Sequence, residues 1–193
     1  MVAENEARTR RRSAAKHKSI LDAAALAASN VGYDASTIEL IAAQAEVGKQ
    51  TIYRWWPSKA ALYLETYKQL VSGVTMPSTD HSCRHRLQRF LVALFSVYSH
   101  TSAGNILGGL IGEMASNLEV RKTVQSGLLL ERSSILIDPI RAGIASGELG
   151  NVIRAEESAD IIIALIWKQL LIEPQALNTR FAKRAVDAAL GYQ

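Results

Sequence analysis

Four prolines in 193 residues, at positions 57, 77, 139 and 174, are the strongest constraint this chain places on its own fold. Between them the apolar residues recur at intervals of three and four, and no long stretch alternates with period two. Helices need the first pattern and strands the second, so the chain is expected to be all-α. Ile20, Ala23, Ala24, Ala27 and Val31 form one apolar stripe over a first helix from about residue 15 to residue 30. Gly32 follows where a glycine ends a helix. Thr37 can cap a short helix from Ile38 to Ala45, and Ala45-Glu46-Val47-Gly48 has the length of a tight turn. A second short helix spans Lys49 to Trp56, and Pro57 breaks the chain. Ser58 can then cap a fourth helix from Lys59 to Val71, with Leu62, Tyr63, Thr66, Leu70 and Val71 inward.

Two short helices joined by a tight turn and braced by a longer one make a helix-turn-helix layout. Ile38, Ile41, Ala42, Ala45, Val47 and Ile52 suit its small core. The polar residues of the second short helix are Lys49, Gln50, Thr51 and Arg54, interleaved with Tyr53 and Trp55. Lysine and arginine neutralise phosphate or take guanine O6 and N7. Glutamine pairs with adenine, threonine meets the thymine methyl, and tyrosine donates to phosphate. The same residues also suit the wet face of an ordinary amphipathic helix. The formal charge is +4, and residues 1–18, with six Lys/Arg against two acids, carry as much excess as the whole chain. Residues 1–15 show no apolar period and read as a disordered basic arm. Such an arm either solubilises or touches phosphates and a minor groove.

Many of these positions fall in the order and spacing of a known family. Ile20-Leu21-Asp22-Ala23-Ala24, Gly32-Tyr33, Ser36-Thr37, Ile41-Ala42, Ala45, Val47, Thr51-Ile52-Tyr53-Arg54 and Pro57-Ser58-Lys59 resemble the DNA-binding domain of the tetracycline-repressor (TetR) family of transcriptional regulators. The match covers about residues 16–65. Trp55-Trp56-Pro57-Ser58-Lys59 and Gly147-Glu148-Leu149 resemble one broad subgroup. The resemblance implies a helix-turn-helix domain over 16–72 and a helical ligand-binding and dimerisation domain over 83–193. It implies DNA contacts from Thr37, Lys49, Gln50, Thr51, Tyr53, Arg54, Trp55 and Lys59, and gives weight to the basic arm as a further one. Three features depart from the family pattern: Glu46 stands where glycine is usual, Gly48 where serine or threonine caps, and the pair Ala27-Ala28 where a larger pair is expected. Trp56 is a candidate to fill the volume lost at Ala27-Ala28.

The rest of the chain reads as a polar linker, residues 72–82, followed by helices. Leu87, Phe90, Leu91, Leu94, Phe95 and Tyr98 share one face of a helix from Arg84 to His100. A helix over 104–117 contains Gly108, Gly109 and Gly112, which suggests close packing, distortion or room for a ligand. Residues 119–146 read as a long helical region, with Pro139 predicting a kink or break near Leu136–Asp138. Helices over 156–172 and 178–190 follow. Ile161 to Trp167 is apolar nearly all round, which fits either a central core helix or a dimer interface. The resemblance favours a homodimer built on the last two helices, with Ile162, Ile163, Ile166, Leu170, Phe181 and Val186 as interface candidates. A cavity between the helices would be lined by Phe95, Tyr98, Leu107, Met114 and Trp167, with His100, Glu113 and Asn117 as polar groups nearby. Such a lining points to an apolar or amphipathic small-molecule effector.

Little in the chain suggests an enzyme. There is no phosphate-cradling glycine loop, nucleophile elbow or metal-binding His-Glu pattern. His81 and His85 lie at the start of a helix beside the lone Cys83, and a solvated turn explains them. No catalytic residue, metal or cofactor is expected. No apolar run reaches the roughly 18 residues of a membrane span, and the arginine-rich start lacks the apolar stretch of a secretory signal. The expected protein is a cytoplasmic repressor that binds a palindromic double-stranded operator as a homodimer and is released by its effector. A helical small-molecule carrier or enzyme with no specific DNA role is the alternative.

Overall fold

The computed structural model describes the backbone of residues 2–78 and 81–191, and their side chains apart from 2–12 and 129–133. The described chain is helical throughout, and no strand occurs among the described residues. Helix α1 spans Val2–Ala35, α2 Ile38–Gln44, α3 Lys49–Trp55 and α4 Lys59–Leu70. After the linker come α5 (Cys83–His100), α6 (Ala103–Met114) and α7 (Leu118–Val124). A π-helical turn over Gln125–Leu129 leads into α8 (Leu130–Ala145), then α9 (Ala155–Ile172), a 3-10 turn and α10 (Thr179–Leu190).

Helix α1 begins far ahead of residue 15, so the backbone of the expected arm is helical from Val2. Alanine, glutamate and arginine favour a helix without needing an apolar face, which a periodicity argument overlooks. The side chains of Arg8, Arg10, Arg11 and Arg12 lie outside the described residues. At the other end Gly32 takes φ 80° and breaks the helix, which resumes for a turn through Ala35. The inward stripe stops at Ala27 and Ala28. Val31 is 47% exposed, and the next buried side chain is Tyr33, past the break. Val31 borders an open groove beside α6, so the i+4 step from Ala27 to Val31 does not carry into the core.

The head, α1 to α4, closes over Ile20, Ile41, Ile52, Leu62 and Tyr63, all fully buried. Ser58 caps α4 by accepting from the Ala61 N–H at 3.1 Å. Trp56 does not fill the space beside Ala27-Ala28. It stacks on His17 with ring centroids 4.7 Å apart and donates its Nε1–H to Glu65 Oε2 at 2.6 Å. His17 precedes Ala27 by ten residues, roughly 15 Å along a helix.

In the bundle behind the head, α10 packs on α5 and α9, α8 packs on α9, and α6 packs on both α1 and α4. The head and the bundle therefore share one apolar core. The helix does not break at Leu136–Asp138, because α8 runs through Pro139. A proline keeps a helical φ and deletes one hydrogen bond, which a well-packed helix tolerates. The irregularity is the π turn instead. There a Cβ on Gly127 would lie 2.5 Å from Leu64 Cδ2, so a bare backbone is pressed onto α4.

Candidate nucleic-acid interface and interhelical cavity

Three local devices aim α3. Thr37 accepts from the Leu40 N–H at 3.1 Å and so starts α2. The turn closes through Glu46 N–H to Ala43 O (3.2 Å) and Val47 N–H to Ala42 O (3.0 Å). Glu46 sits at φ 53°, the left-handed position that the family pattern gives to glycine. An L-residue there costs on the order of 1 kcal/mol, which the surrounding packing must offset. Gly48 caps α3 without a side-chain hydrogen bond.

Ile52 is the fully buried residue of α3, and Lys49, Gln50, Tyr53 and Arg54 are exposed. Thr51 and Trp55 are half-buried. Gln50, Thr51, Tyr53 and Arg54 thus share an outward surface with the donors and acceptors that base edges and phosphates need. Lys49 Nζ reaches back to Glu39 Oε1 at 2.8 Å. That bond holds the Glu39 carboxyl below its usual range and raises the lysine. Any further acceptor meeting Lys49 competes with Glu39 for its ammonium. Trp55 is packed rather than projecting, with His17 at 5.1 Å and Trp56 edge-on at 5.6 Å. The Arg54 guanidinium lies 5.9 Å from its ring.

Lys59 Nζ donates to the Asp34 carbonyl at 3.3 Å and lies 4.3 Å over the Tyr33 ring. Burial lowers its pKa, against the opposing pull of Glu113 and Asp34. Tyr33 itself is buried. Its hydroxyl donates to Glu113 Oε2 at 2.5 Å, and burial first, then Glu113, pushes that hydroxyl far above its ordinary pKa. It therefore stays the donor of this bond.

A narrow cavity of about 50 Å³ lies among α4, α5, α6, α8 and α9. Tyr98, Leu107 and Trp167 line it, as expected, together with Tyr67, Leu128 and Ile163. Phe95 and Met114 do not. Phe95 turns toward Phe181 of α10, centroids 6.0 Å apart. Met114 ends α6, and its carbonyl accepts from Arg121. Tyr67 was missed because it belongs to α4 of the head, and nothing in its local sequence shows that the head supplies a wall of the cavity. Its hydroxyl is 2.7 Å from that of Tyr98. His100 is exposed with its Nδ1 on the Ser96 carbonyl. Glu113 faces a separate open groove of about 1060 Å³ between the end of α1, α6 and residues 170–177. Asn117 caps α7 and donates to Glu113 Oε1.

The interface candidates on the last two helices are used inside the chain. Ile162, Ile166, Leu170, Phe181 and Val186 are buried and Ile163 is half-buried, so the five buried ones offer a partner little surface. A helix apolar all round has two apolar faces, and its sequence does not say which turns inward. The outward face of α9 carries Ile161, Ala164, Leu171 and Ile172, and that of α10 carries Arg180, Lys183, Arg184 and Ala188.

Comparison with known proteins follows the same two-part division. Residues 20–66 match the family model described as bacterial regulatory proteins, tetR family, and residues 77–189 match the tetracyclin repressor-like C-terminal domain. The chain is 28% identical over 186 residues to the uncharacterized HTH-type transcriptional regulator YdeS of Bacillus subtilis, covering 93% of this chain and 90% of that protein. Among solved structures it is similar to the TetR family transcription regulator SCO0332, at 25% identity and TM-score 0.74, covering 91% of this chain and 96% of that one. The transcriptional regulator FadR of Bacillus subtilis, solved in complex with stearoyl-CoA, shares the fold at 20% identity and TM-score 0.68, covering 90% of this chain and 97% of that one.

Proposed function

Because this chain belongs to the tetR family of bacterial transcriptional regulators, we propose that it is a repressor that binds a palindromic operator as a homodimer and lets go when a small apolar or amphipathic effector occupies the cavity. The observation that carries the DNA reading is the outward surface of α3, where Gln50, Thr51, Tyr53 and Arg54 stand together on a helix anchored by Ile52. Gln50 and Thr51 read bases, Tyr53 and Arg54 hold phosphates, and Lys49 and Lys59 join once Glu39 and the Asp34 carbonyl are displaced. Thr37 and Trp55 support the surface by holding α2 and α3 in place. Dimerisation uses the outward faces of α9 and α10, centred on Ile161 and Leu171, and brings two heads to successive major-groove turns.

The effector site is the cavity under Tyr67 and Tyr98. At about 50 Å³ it holds only a few heavy atoms as it stands, so a larger effector has to spread its walls, one of which is α4 of the head. Effector and operator then oppose one another reciprocally. Among the described residues no single helix is long and apolar enough to cross a membrane, and we place the protein in the cytoplasm with no catalytic role. The test is selection of duplexes from a random pool at near-physiological salt. Enrichment of one palindrome, with affinity falling steeply as salt rises, supports the reading. A folded dimer that enriches nothing after denaturation and refolding to strip bound effector overturns it.

A further inference from the structure

Tyr33 is gripped from both sides of the boundary between head and bundle. On the head side its carbonyl accepts from Ser36 Oγ at 2.7 Å, and Ser36 Oγ accepts from the Tyr63 hydroxyl at 2.6 Å. Its ring lies 5.1 Å from that of Tyr63. On the bundle side three contacts come from one face of α6. Asn105 Oδ1 accepts the Tyr33 N–H at 2.9 Å, and Glu113 Oε2 accepts the hydroxyl. Gly109 lies between them, where a Cβ would come within 2.4 Å of the tyrosine ring. Residues 105, 109 and 113 are spaced by four, which stacks them along one helix face. Asn117 donates to the other oxygen of Glu113 at 3.0 Å and holds the carboxylate in place.

We propose that Asn105, Gly109 and Glu113 form a cradle on α6 that sets the angle of the DNA-reading head through Tyr33. Asn105 and Glu113 are then positioning residues for operator binding, a role that rests on the DNA reading proposed above. The apolar contacts of α1 and α4 with α6 are not directional, and they tolerate small rotations. A hydrogen bond to a carboxylate is short and directional, and it selects one rotation. Tyr33 lies four residues before Thr37, the cap of α2, so a shift at the cradle is passed to α2 and α3. Two heads must meet grooves about 34 Å apart, and a small change at the base of each head is magnified at its tip.

The test uses the full chain with Tyr33→Phe, Glu113→Ala, Glu113→Gln and the Tyr33→Phe/Glu113→Ala pair. Phenylalanine keeps the ring on Gly109 and Tyr63 and deletes only the hydroxyl. Against the duplex enriched from the random pool, Tyr33→Phe and Glu113→Ala should each weaken binding about tenfold. The pair should lose no more than either single change, because both break one link. Glu113→Gln keeps an acceptor and should recover most of the affinity. Binding to an unrelated duplex should change less than twofold, since no phosphate-facing group is altered. An equal loss on both duplexes would mean a merely structural role and would overturn the proposal.

A second readout needs no DNA. Fluorescent dyes on Gln44→Cys in α2 and Glu119→Cys in α7, both exposed positions, report the head-to-bundle distance. The labelled chain is diluted into excess unlabelled chain, so one chain is read whatever the oligomeric state. Cys83 is buried, and burial pushes its thiol up to about 11, so it should label far more slowly at neutral pH than the two exposed cysteines. Tyr33→Phe and Glu113→Ala should broaden the distance distribution, and an unchanged distribution in both overturns the cradle. A broadened distribution in a protein whose wild type enriches no duplex keeps the cradle and removes the DNA reading instead.

Discussion

Helix α3 is attached to the head by one fully buried side chain, Ile52, whereas α9 sinks Ala155, Ser158, Ala159, Ile162, Ile166 and Leu170 into the bundle. A helix with one anchor leaves the rest of its surface free, so its polar residues can change while the fold stays the same. A helix with many anchors has its inward face fixed by packing, and only its outward face is free to serve another purpose. The difference teaches where variation is cheap. It also explains why exposed residues on α3 are polar, while the outward face of α9 keeps Ile161, Leu171 and Ile172 exposed.

The largest effect should come from the single anchor. Ile52→Ala removes a fully buried side chain and should cost about 2–5 kcal/mol of stability. Denaturant unfolding followed by Trp55 and Trp56 fluorescence would measure it, and a loss below 0.5 kcal/mol on the order expected of surface sites would show that α3 is held in some other way. Next, Ile161→Lys combined with Leu171→Lys should weaken self-association by about 2 kcal/mol or more, roughly thirtyfold, while thermal unfolding of the monomer barely moves. Sedimentation at graded concentrations checks this, and an unchanged dimer would put the interface on another surface.

The glycines of α6 sharpen the comparison inside one helix. Gly109→Ala forces a Cβ to within 2.4 Å of the Tyr33 ring and should cost about 1–3 kcal/mol. Gly108→Ala meets nothing within 4 Å and should gain up to about 1 kcal/mol from helix propensity. Melting the two variants side by side tests whether α6 is pressed on the head at one position only. The smallest effect belongs to the turn. Glu46→Gly relieves an L-residue at φ 53° and should stabilise by up to about 1 kcal/mol, less whatever the glycine adds to the entropy of the unfolded chain. A destabilised Glu46→Gly variant would mean that the glutamate side chain makes a contact worth more than the strain.

The head was legible because its signals are local. Thr37 and Ser58 cap the helices they precede, Gly32 breaks α1, and Glu46 stands at the turn position that wants glycine. In the bundle the ends of α5, α9 and α10 were equally legible, and Asn178 caps α10 by accepting from the Phe181 N–H. The candidate sites were legible only in part. Lys49, Gln50, Tyr53 and Arg54 lie on the wet side that a helix with one apolar anchor predicts, whereas Trp55 packs on His17 and Trp56. The cavity lining was legible for Tyr98, Leu107 and Trp167 but not for Phe95, because Phe95 and Tyr98 are three residues apart on one helix face yet meet different neighbours, Phe181 and Tyr67.

Composition, helical period, caps and the spacing of the turn were enough to define an all-α chain with a helix-turn-helix at its start, because each depends on residues a few positions apart. Tertiary structure decided everything that depends on which residue lies opposite. It turned Ile162 and Ile166 inward and left Ile161 and Leu171 outside, and it set Trp56 against His17 and Glu65 rather than beside Ala27. It also chose Gly109 over Gly108 as the seat of Tyr33 and took one wall of the cavity from the head. Burial is a relation between distant segments, and helical periodicity records only that a face is apolar, not which partner will cover it.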